Sequence, residues 1–319
     1  MKLDDLNFIG KGLCRPECVI CTAQGDIYTS DWRGGIAHIK SNGDQHLYLG
    51  MTPDGHALRP NGISLNADGS FLVAHLGDEK GGVFRLARDG GVSVFVDKVD
   101  GVDLPPSNFV FTDYAHRTWI TVSTRHVPRA EAYRPNVSDG FIVLVDRKGT
   151  RIVADGLGYT NEAAIHPNGK WLYVNETFGR RLVRFQLDGN GEPKNREVVT
   201  EFGAGTYPDG LTFDAEGCVW ITSIISNRII RVLPDGRQQL ILEDADADHV
   251  VWAETAFRAH RLGRKHLDSI RSQRLQNISS LSFGGKDMRT IYLGCLQGDR
   301  IAYVDQEVAG HLPAHWNYY

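Results

Sequence analysis

No run of this chain approaches the ~20 consecutive apolar residues that a membrane-spanning helix needs. Charge of one sign is not in excess either: lysine and arginine total 35, aspartate and glutamate 39, for a net charge of −4. That balance gives neither a basic patch for nucleic acid nor an acidic solvating tail, so no nucleic acid and no membrane is expected as a partner. No secretory leader is expected either. Met1-Lys2-Leu3-Asp4-Asp5 has acids where a leader carries a basic start and an apolar run, and the cytoplasm is the expected compartment. Cysteines number five, three of them bunched near the start, which is not the even framework of a small secreted scaffold. The G-x-S-x-G elbow, the H-E-x-x-H helix and the phosphate-cradling P-loop are all absent.

Glycine, by contrast, is plentiful. Its 35 residues exceed the roughly 7% average and suit a fold with many tight turns. One phrase then returns six times: Pro16-Glu17-Cys18-Val19-Ile20-Cys21, Pro60-Asn61-Gly62-Ile63-Ser64-Leu65, Ser107-Asn108-Phe109-Val110-Phe111-Thr112, Thr160-Asn161-Glu162-Ala163-Ala164-Ile165, Pro208-Asp209-Gly210-Leu211-Thr212-Phe213 and Ile278-Ser279-Ser280-Leu281-Ser282-Phe283. Spacings of about 44 to 70 residues between starts match four-stranded propeller blades.

Turns such as Asn66-Ala67-Asp68-Gly69 and Asp214-Ala215-Glu216-Gly217 lead into second apolar runs, here Phe71–His75 and Cys218–Ser223. Third runs follow at Ile36–Ile39, Gly82–Leu86, Phe141–Val145, Leu182–Phe185, Ile229–Val232 and Ile301–Val304. Short β-branched and aromatic runs joined by Asn-Gly and Asp-Gly turns are hairpins, not helices. With a fourth, outer strand per unit, the chain reads as all-β: one six-bladed β-propeller domain over residues 1–319. The first strand of each blade lines an axial channel. Residues of about 246–276 break the pattern and read as one or two helices inserted between blades five and six. Phe257, Leu267 and Ile270 are the sparse apolar residues of this insert. Decoration or an oligomer contact, and with it a homo-oligomer, is expected there ahead of a lid.

The second positions of the six phrases are Glu17, Asn61, Asn108, Asn161, Asp209 and Ser279. All offer oxygen to a hard cation, and only Glu17 and Asp209 carry charge. Two carboxylates would neutralise a divalent cation, and Asn161 adds an amide oxygen. Such an ion polarises a carbonyl and acidifies water, which suits hydrolysis of an ester or lactone with Asp209 as general base. Asn61 would contact substrate or, like Ser279, merely line the mouth. Oxygen ligation admits Ca2+, Mg2+, Mn2+, Zn2+ or Fe2+. Taken singly, Pro-Asn-Gly is an ordinary turn sequence. Six such phrases in register are a different matter.

Arg15-Pro16-Glu17, Tyr159-Thr160-Asn161, Tyr207-Pro208-Asp209-Gly210-Leu211 and Ser282-Phe283-Gly284-Gly285-Lys286-Asp287 resemble the senescence marker protein/gluconolactonase (regucalcin-like) family over nearly the whole chain outside the insert. The resemblance implies a divalent metal in the channel and hydrolysis of sugar or related lactones. It places the metal ligands on Glu17, Asn161 and Asp209, the catalytic role on Asp209, and a contact to substrate or water on Asn108. Three positions depart from the family's pattern: Phe109 in place of the usual Asp, Pro106 in place of an Arg, and Glu162 in place of a Gly. They spare the three ligands and change the groups that would grip sugar hydroxyls, so a less polar lactone or ester stands beside a sugar lactone.

Other groupings carry less. Cys14, Cys18 and Cys21 have the C-x3-C-x2-C spacing of an iron–sulfur site, but the hairpin pattern contradicts the barrel such enzymes need. Asp244, Asp246 and Asp248 mimic a calcium loop, yet His249 replaces its Gly. Trp32, Trp119, Trp171 and Trp220 read as packing. His75, His126 and Glu176 follow second strands, and His126 is the one to consider for proton transfer or substrate contact. Arg125 and Arg129 would suit an anionic substrate. Two further functions compete with the lactone hydrolase: a non-enzymatic, metal-stabilised propeller that binds a ligand or protein, and a strictosidine-synthase-like condensing enzyme, disfavoured by two channel carboxylates.

Overall fold

The computed structural model describes residues 1–269 and 271–319, and these build a six-bladed β-propeller of four-stranded antiparallel sheets. The innermost strands are Val19–Cys21, Pro60–Leu65, Ser107–Thr112, Thr160–Ile165, Tyr207–Phe213 and Ile278–Gly284. Each blade then runs outward to the rim in chain order. Blade six is the exception, because its outermost strand is Asn7–Ile9, paired antiparallel to Ile301–Asp305 with Asn7 opposite Tyr303. Three strands of that blade are marked by the sequence around them; the fourth arrives from the other end of the chain and closes the ring.

Four of the six second strands, Phe71–His75 among them, are buried along their whole length, because a neighbouring blade covers each face. Rim strands such as Val92–Val96 are largely exposed. Apolar burial therefore divides into layers between blades. Tyr28 and Ile36 meet Phe71 and Val73 between blades one and two. Trp119 and Leu144 meet Leu172 and Val183 between blades three and four. Trp220 and Ile229 meet Phe283 and Leu293 between blades five and six.

The turns repeat as well. In blade five, Asp214 Oδ1 accepts from the N–H groups of Glu216 and Cys218, each at 2.9 Å, while Oδ2 accepts from Trp220 Nε1 at 2.8 Å. Gly217 takes φ +80° inside this turn, where a side chain would be strained. Asp113 of blade three holds Ala115, Arg117 and Trp119 in the same way. Of the four tryptophans expected to be packing elements, Trp119 and Trp220 are fully buried between blades, Trp171 packs half-buried against blade five, and Trp32, Trp119 and Trp220 are also tied by their indole N–H groups.

The insert forms two helices, α1 (Ala247–Arg258) and α2 (Arg264–Asp268). Asp246 caps α1 by accepting from His249 N at 2.7 Å. Asp244 takes the N–H groups of Gln273, Arg274 and Leu275, so two of the three acids of the calcium-loop mimic are spent on backbone. Phe257 and Leu267 pack with Tyr133, Tyr159, Phe178 and Tyr207 from the loops and strand ends of blades three to five. Ile270 lies outside the described residues. The insert buries an apolar face on the top of the propeller, and Leu267 also reaches the channel mouth. Among the described residues, no helix is long and apolar enough to cross a membrane.

Candidate active site

Five of the six inner strands break register at the same place, as between Thr160 and Ala163 and between Pro208 and Leu211. A bulge re-aims the side chains beside it, and here it lies at the second and third positions of the repeated phrase. The six second-position residues then divide into two groups. Asn61 Nδ2 reaches the backbone oxygen of Asn108 at 2.9 Å and its Oδ1 at 2.7 Å. Ser279 Oγ donates to the backbone oxygen of Glu17 at 2.9 Å. These two stitch one blade to the next. The other four, Glu17, Asn108, Asn161 and Asp209, line a single cavity of about 30 Å³.

That cavity is walled by Arg15, Arg129, Tyr133, Tyr159, Thr177, Phe178, Ile224, Arg264, Leu267 and Leu296. All four oxygen-bearing residues are buried, Glu17 at 8%, Asn108 at 3%, and Asn161 and Asp209 at 5% exposure. Arg15 and Tyr159, each two positions ahead of a ring residue, adopt φ +50° and +67°. Such left-handed backbone costs a non-glycine residue about 1–2 kcal/mol. Here it turns the chain at the channel mouth, and both side chains line the cavity.

Three of the four oxygen-bearing residues are held from behind. Arg15 Nε donates to Glu17 Oε2 at 2.9 Å while its guanidinium lies 4.3 Å from the Trp32 ring centroid. Asn161 Nδ2 donates to Thr177 Oγ1 at 2.9 Å, and that hydroxyl donates to Pro208 O at 2.8 Å. The Asn161 amide is thereby braced from the strand that carries Asp209. Asn108 Nδ2 donates to Ser123 Oγ at 2.7 Å. Burial, and then the charge of Glu17, push the Asp209 carboxyl well above the usual carboxylate range, against Arg15, Arg129 and a hydrogen bond from Asn161.

The donor set suits a divalent cation. Asp209 accepts no backbone N–H among the described residues, and Arg15 engages one oxygen of Glu17. Two buried carboxylates and an amide oxygen thus face one small space with negative charge to offer. A second acidic group, Asp214, Glu216 and Cys218, also brings potential ligand atoms within 4.8 Å of one another. Asp214 is already saturated there, since Arg231 Nε adds a fourth donor at 2.7 Å. That group is a turn shared with Asp113 rather than a cation site.

Two residues expected to meet substrate do not reach this cavity. Asn61 stands behind Asn108, for the stitching reason above. His126 is 38% exposed and faces Glu131 and Asp139 at 3.5 and 3.8 Å, outside the cavity wall. Arg125 is drawn off likewise, paired with Asp155 at 2.8 Å. Glu176 is buried under Arg181 and Arg196 and belongs to the fold. His75 Nδ1 accepts from Arg59 N at 3.0 Å. Glu162 points to the next blade, taking Leu211 N at 2.8 Å, as Ser280 takes Val19 N at 3.0 Å. Burial raises its carboxyl well above the usual range, opposed by that N–H and reinforced by Asp209 and Glu17. Burial also pushes the Cys21 thiol up to about 12, while Cys14 is exposed.

Arg264, Leu267, Tyr133 and Phe178 were invisible to the repeat, because they come from loops and the insert, which have no register to read.

Residues 16–243 match the family described as SMP-30/Gluconolactonase/LRE-like region. A 6-deoxy-6-sulfogluconolactonase of Pseudomonas putida is 27% identical over 244 residues, 75% of this chain and 70% of that protein. Against further curated lactonases that it matches, the chain spans 60% of their length. Among solved structures, a gluconolactonase from Xanthomonas campestris superposes with a TM-score of 0.68 at 17% identity, covering 94% of this chain and 89% of that one. The calcium-binding protein regucalcin from Agrobacterium tumefaciens does so at 0.67 and 17%, covering 98% and 97%. At such identities the structures speak for the propeller alone. The relatives' names support a lactonase-type hydrolase. This chain belongs to the SMP-30/gluconolactonase/LRE-like family.

Proposed function

We propose that this protein opens a lactone by hydrolysis in the cavity between Glu17, Asn161 and Asp209, with one divalent cation held by those three residues. The observation that carries the reading is the pair of buried carboxylates, Glu17 and Asp209, sharing one cavity with the Asn161 amide. A cation bound there would supply a Lewis acid for the lactone carbonyl. Asp209 takes a proton from the attacking water at a carboxylate oxygen. The water oxygen bonds to the carbonyl carbon, the ring ester C–O bond breaks, and the ring oxygen leaves as a hydroxyl by taking the proton that Asp209 holds. Asn108, braced by Asn61 and Ser123, orients substrate or water.

A cavity of about 30 Å³ has room for an ion and about one water, far below the several hundred Å³ of most ligand pockets. Substrate entry therefore requires the wall to shift, and the part supplied by the insert is Arg264 and Leu267. The same closeness favours a second reading, a propeller that uses the ion structurally and binds a ligand or protein. Chelated and metal-restored protein, assayed on a panel of five- and six-membered lactones alongside elemental analysis, separates the two. Hydrolysis that returns with metal supports the lactonase. No hydrolysis with any divalent ion, together with unfolding on chelation, supports the structural role.

A further inference from the structure

We propose that the lactone carries a second, permanently anionic oxyanion group, a carboxylate, sulfonate or phosphate on a ring substituent, and that Arg129 binds it. This rests on the lactonase reading and names its substrate class. Three arginines, Arg15, Arg129 and Arg264, share the cavity wall with two carboxylates, Glu17 and Asp209. Arg15 is taken by Glu17 at 2.9 Å, and Arg264 by Asp268 at 2.5 Å. Arg129 has no carboxylate partner among the described residues. One Nη2 hydrogen goes to Ser123 Oγ at 3.1 Å, and its Nε is buried with nothing to donate to. Its guanidinium lies 5.5 Å from the Tyr159 ring centroid, which steers it without satisfying it.

A guanidinium presents five donors in a planar fork that matches an oxyanion two bonds at a time. A half-buried one with so few donors used is an open half of such a pair. The charge balance points the same way. A divalent cation would use up the charges of Glu17 and Asp209, leaving Arg15, still hydrogen-bonded to Glu17, and Arg129, with no carboxylate contact among the described residues, as net positive charge beside the reacting carbonyl. Ser123 Oγ accepts from both Arg129 and Asn108, so the anion-binding fork and the orienting amide share one anchor. The positions that depart from the family's pattern fit as well. Phe109 lines a separate apolar cavity lower in the channel, so the third blade offers no carboxylate for sugar hydroxyls here.

The test compares lactones differing only in one ring substituent: carboxylate, sulfonate, phosphate, or a neutral hydroxyl. Metal-loaded full-length protein is assayed as wild type, R129Q and R129K. Wild type should favour an anionic member by about 10- to 100-fold in kcat/KM. R129Q should lose that preference through KM, falling about 10- to 100-fold further in kcat/KM on the anionic member than on the neutral one, while R129K should keep part of it. The ranking of the three anions tells which oxyanion the site takes. Equal loss on neutral and anionic members would make Arg129 mere charge balance for the carboxylates and overturn the proposal, as would a wild type without preference. Calorimetric binding of the corresponding anionic lactams, which resist hydrolysis, keeps the two claims apart. Arg129-dependent binding without turnover of any lactone sinks the hydrolase and leaves the anion site standing. Turnover of neutral lactones with no Arg129-dependent lactam binding does the reverse.

Discussion

Asn61 Nδ2 lies 2.9 Å from the backbone oxygen of Asn108 and 2.7 Å from its Oδ1, so one blade's ring residue fixes the side chain of the next. Asn61→Ala leaves both acceptors unpaired in a buried place and should cost about 1–3 kcal/mol of stability. It should also lower kcat more than it raises KM, because Asn108 loses its orientation and not its amide. Denaturant melts with steady-state kinetics decide this. A variant as active and stable as wild type would make the stitch incidental.

Asp209→Asn keeps shape and hydrogen bonding while removing the charge. Turnover should fall by about 10²–10⁴, as loss of a general base does, and metal content should fall with it. Cys218→Ala, in the turn around Asp214, should leave metal content unchanged. Elemental analysis of the two variants says which acidic group holds the ion. Metal lost from Cys218→Ala but kept by Asp209→Asn would move the site to blade five's turn.

Protonation of the same channel should be legible in stability. Burial raises Asp209 first, with Glu17 adding to it, and burial raises Glu162 against the Leu211 N–H. Groups raised in the folded state hold protons that the unfolded chain gives up. Their contribution is complete below the ordinary carboxylate value of about 4 and is lost as pH rises through the raised values. Chelated protein should therefore lose melting temperature as pH rises above the ordinary carboxylate value of about 4. Glu162→Gln should lessen that loss, and saturating divalent metal should lessen it further. Parallel pH profiles for wild type and Glu162→Gln would count against the assignment.

The insert is anchored by one ion pair. Arg180 Nη1 lies 3.1 Å from Glu254 Oε1, and against burial, which alone would raise it, bonds from Arg180 and Arg258 hold Glu254 down to about 2. A depressed acid contributes stability above its unfolded value and loses it as pH falls through the folded one. Glu254→Gln removes the charge from a mostly buried pair and should cost about 3 kcal/mol. The loss should show as faster proteolysis within residues 247–268, with the blades still folded by circular dichroism. Unchanged cleavage would mean that Phe257 and Leu267 hold the insert without it.

Much of the fold was legible because a propeller repeats. Turn residues such as Gly217 and strands such as Phe71–His75 recur at a fixed phase, and each blade needs only its neighbours. The last strand of blade six was not legible, since Asn7–Ile9 bears no turn-and-phase relation to Ile301–Asp305. The candidate site was read in part. Glu17, Asn108, Asn161 and Asp209 face one cavity, while Asn61 and His126 do not.

By itself the sequence determined the blade count and the six places where a polar side chain enters the channel, because strand periodicity and turn chemistry are local. Only the tertiary structure decided which of the six face the cavity and which bind a neighbouring blade. That choice depends on bulge geometry and on the distance to the next strand. It likewise decided that Arg129 lines one cavity with Asp209 and has no carboxylate partner among the described residues, since residues 80 apart meet only once the ring has closed.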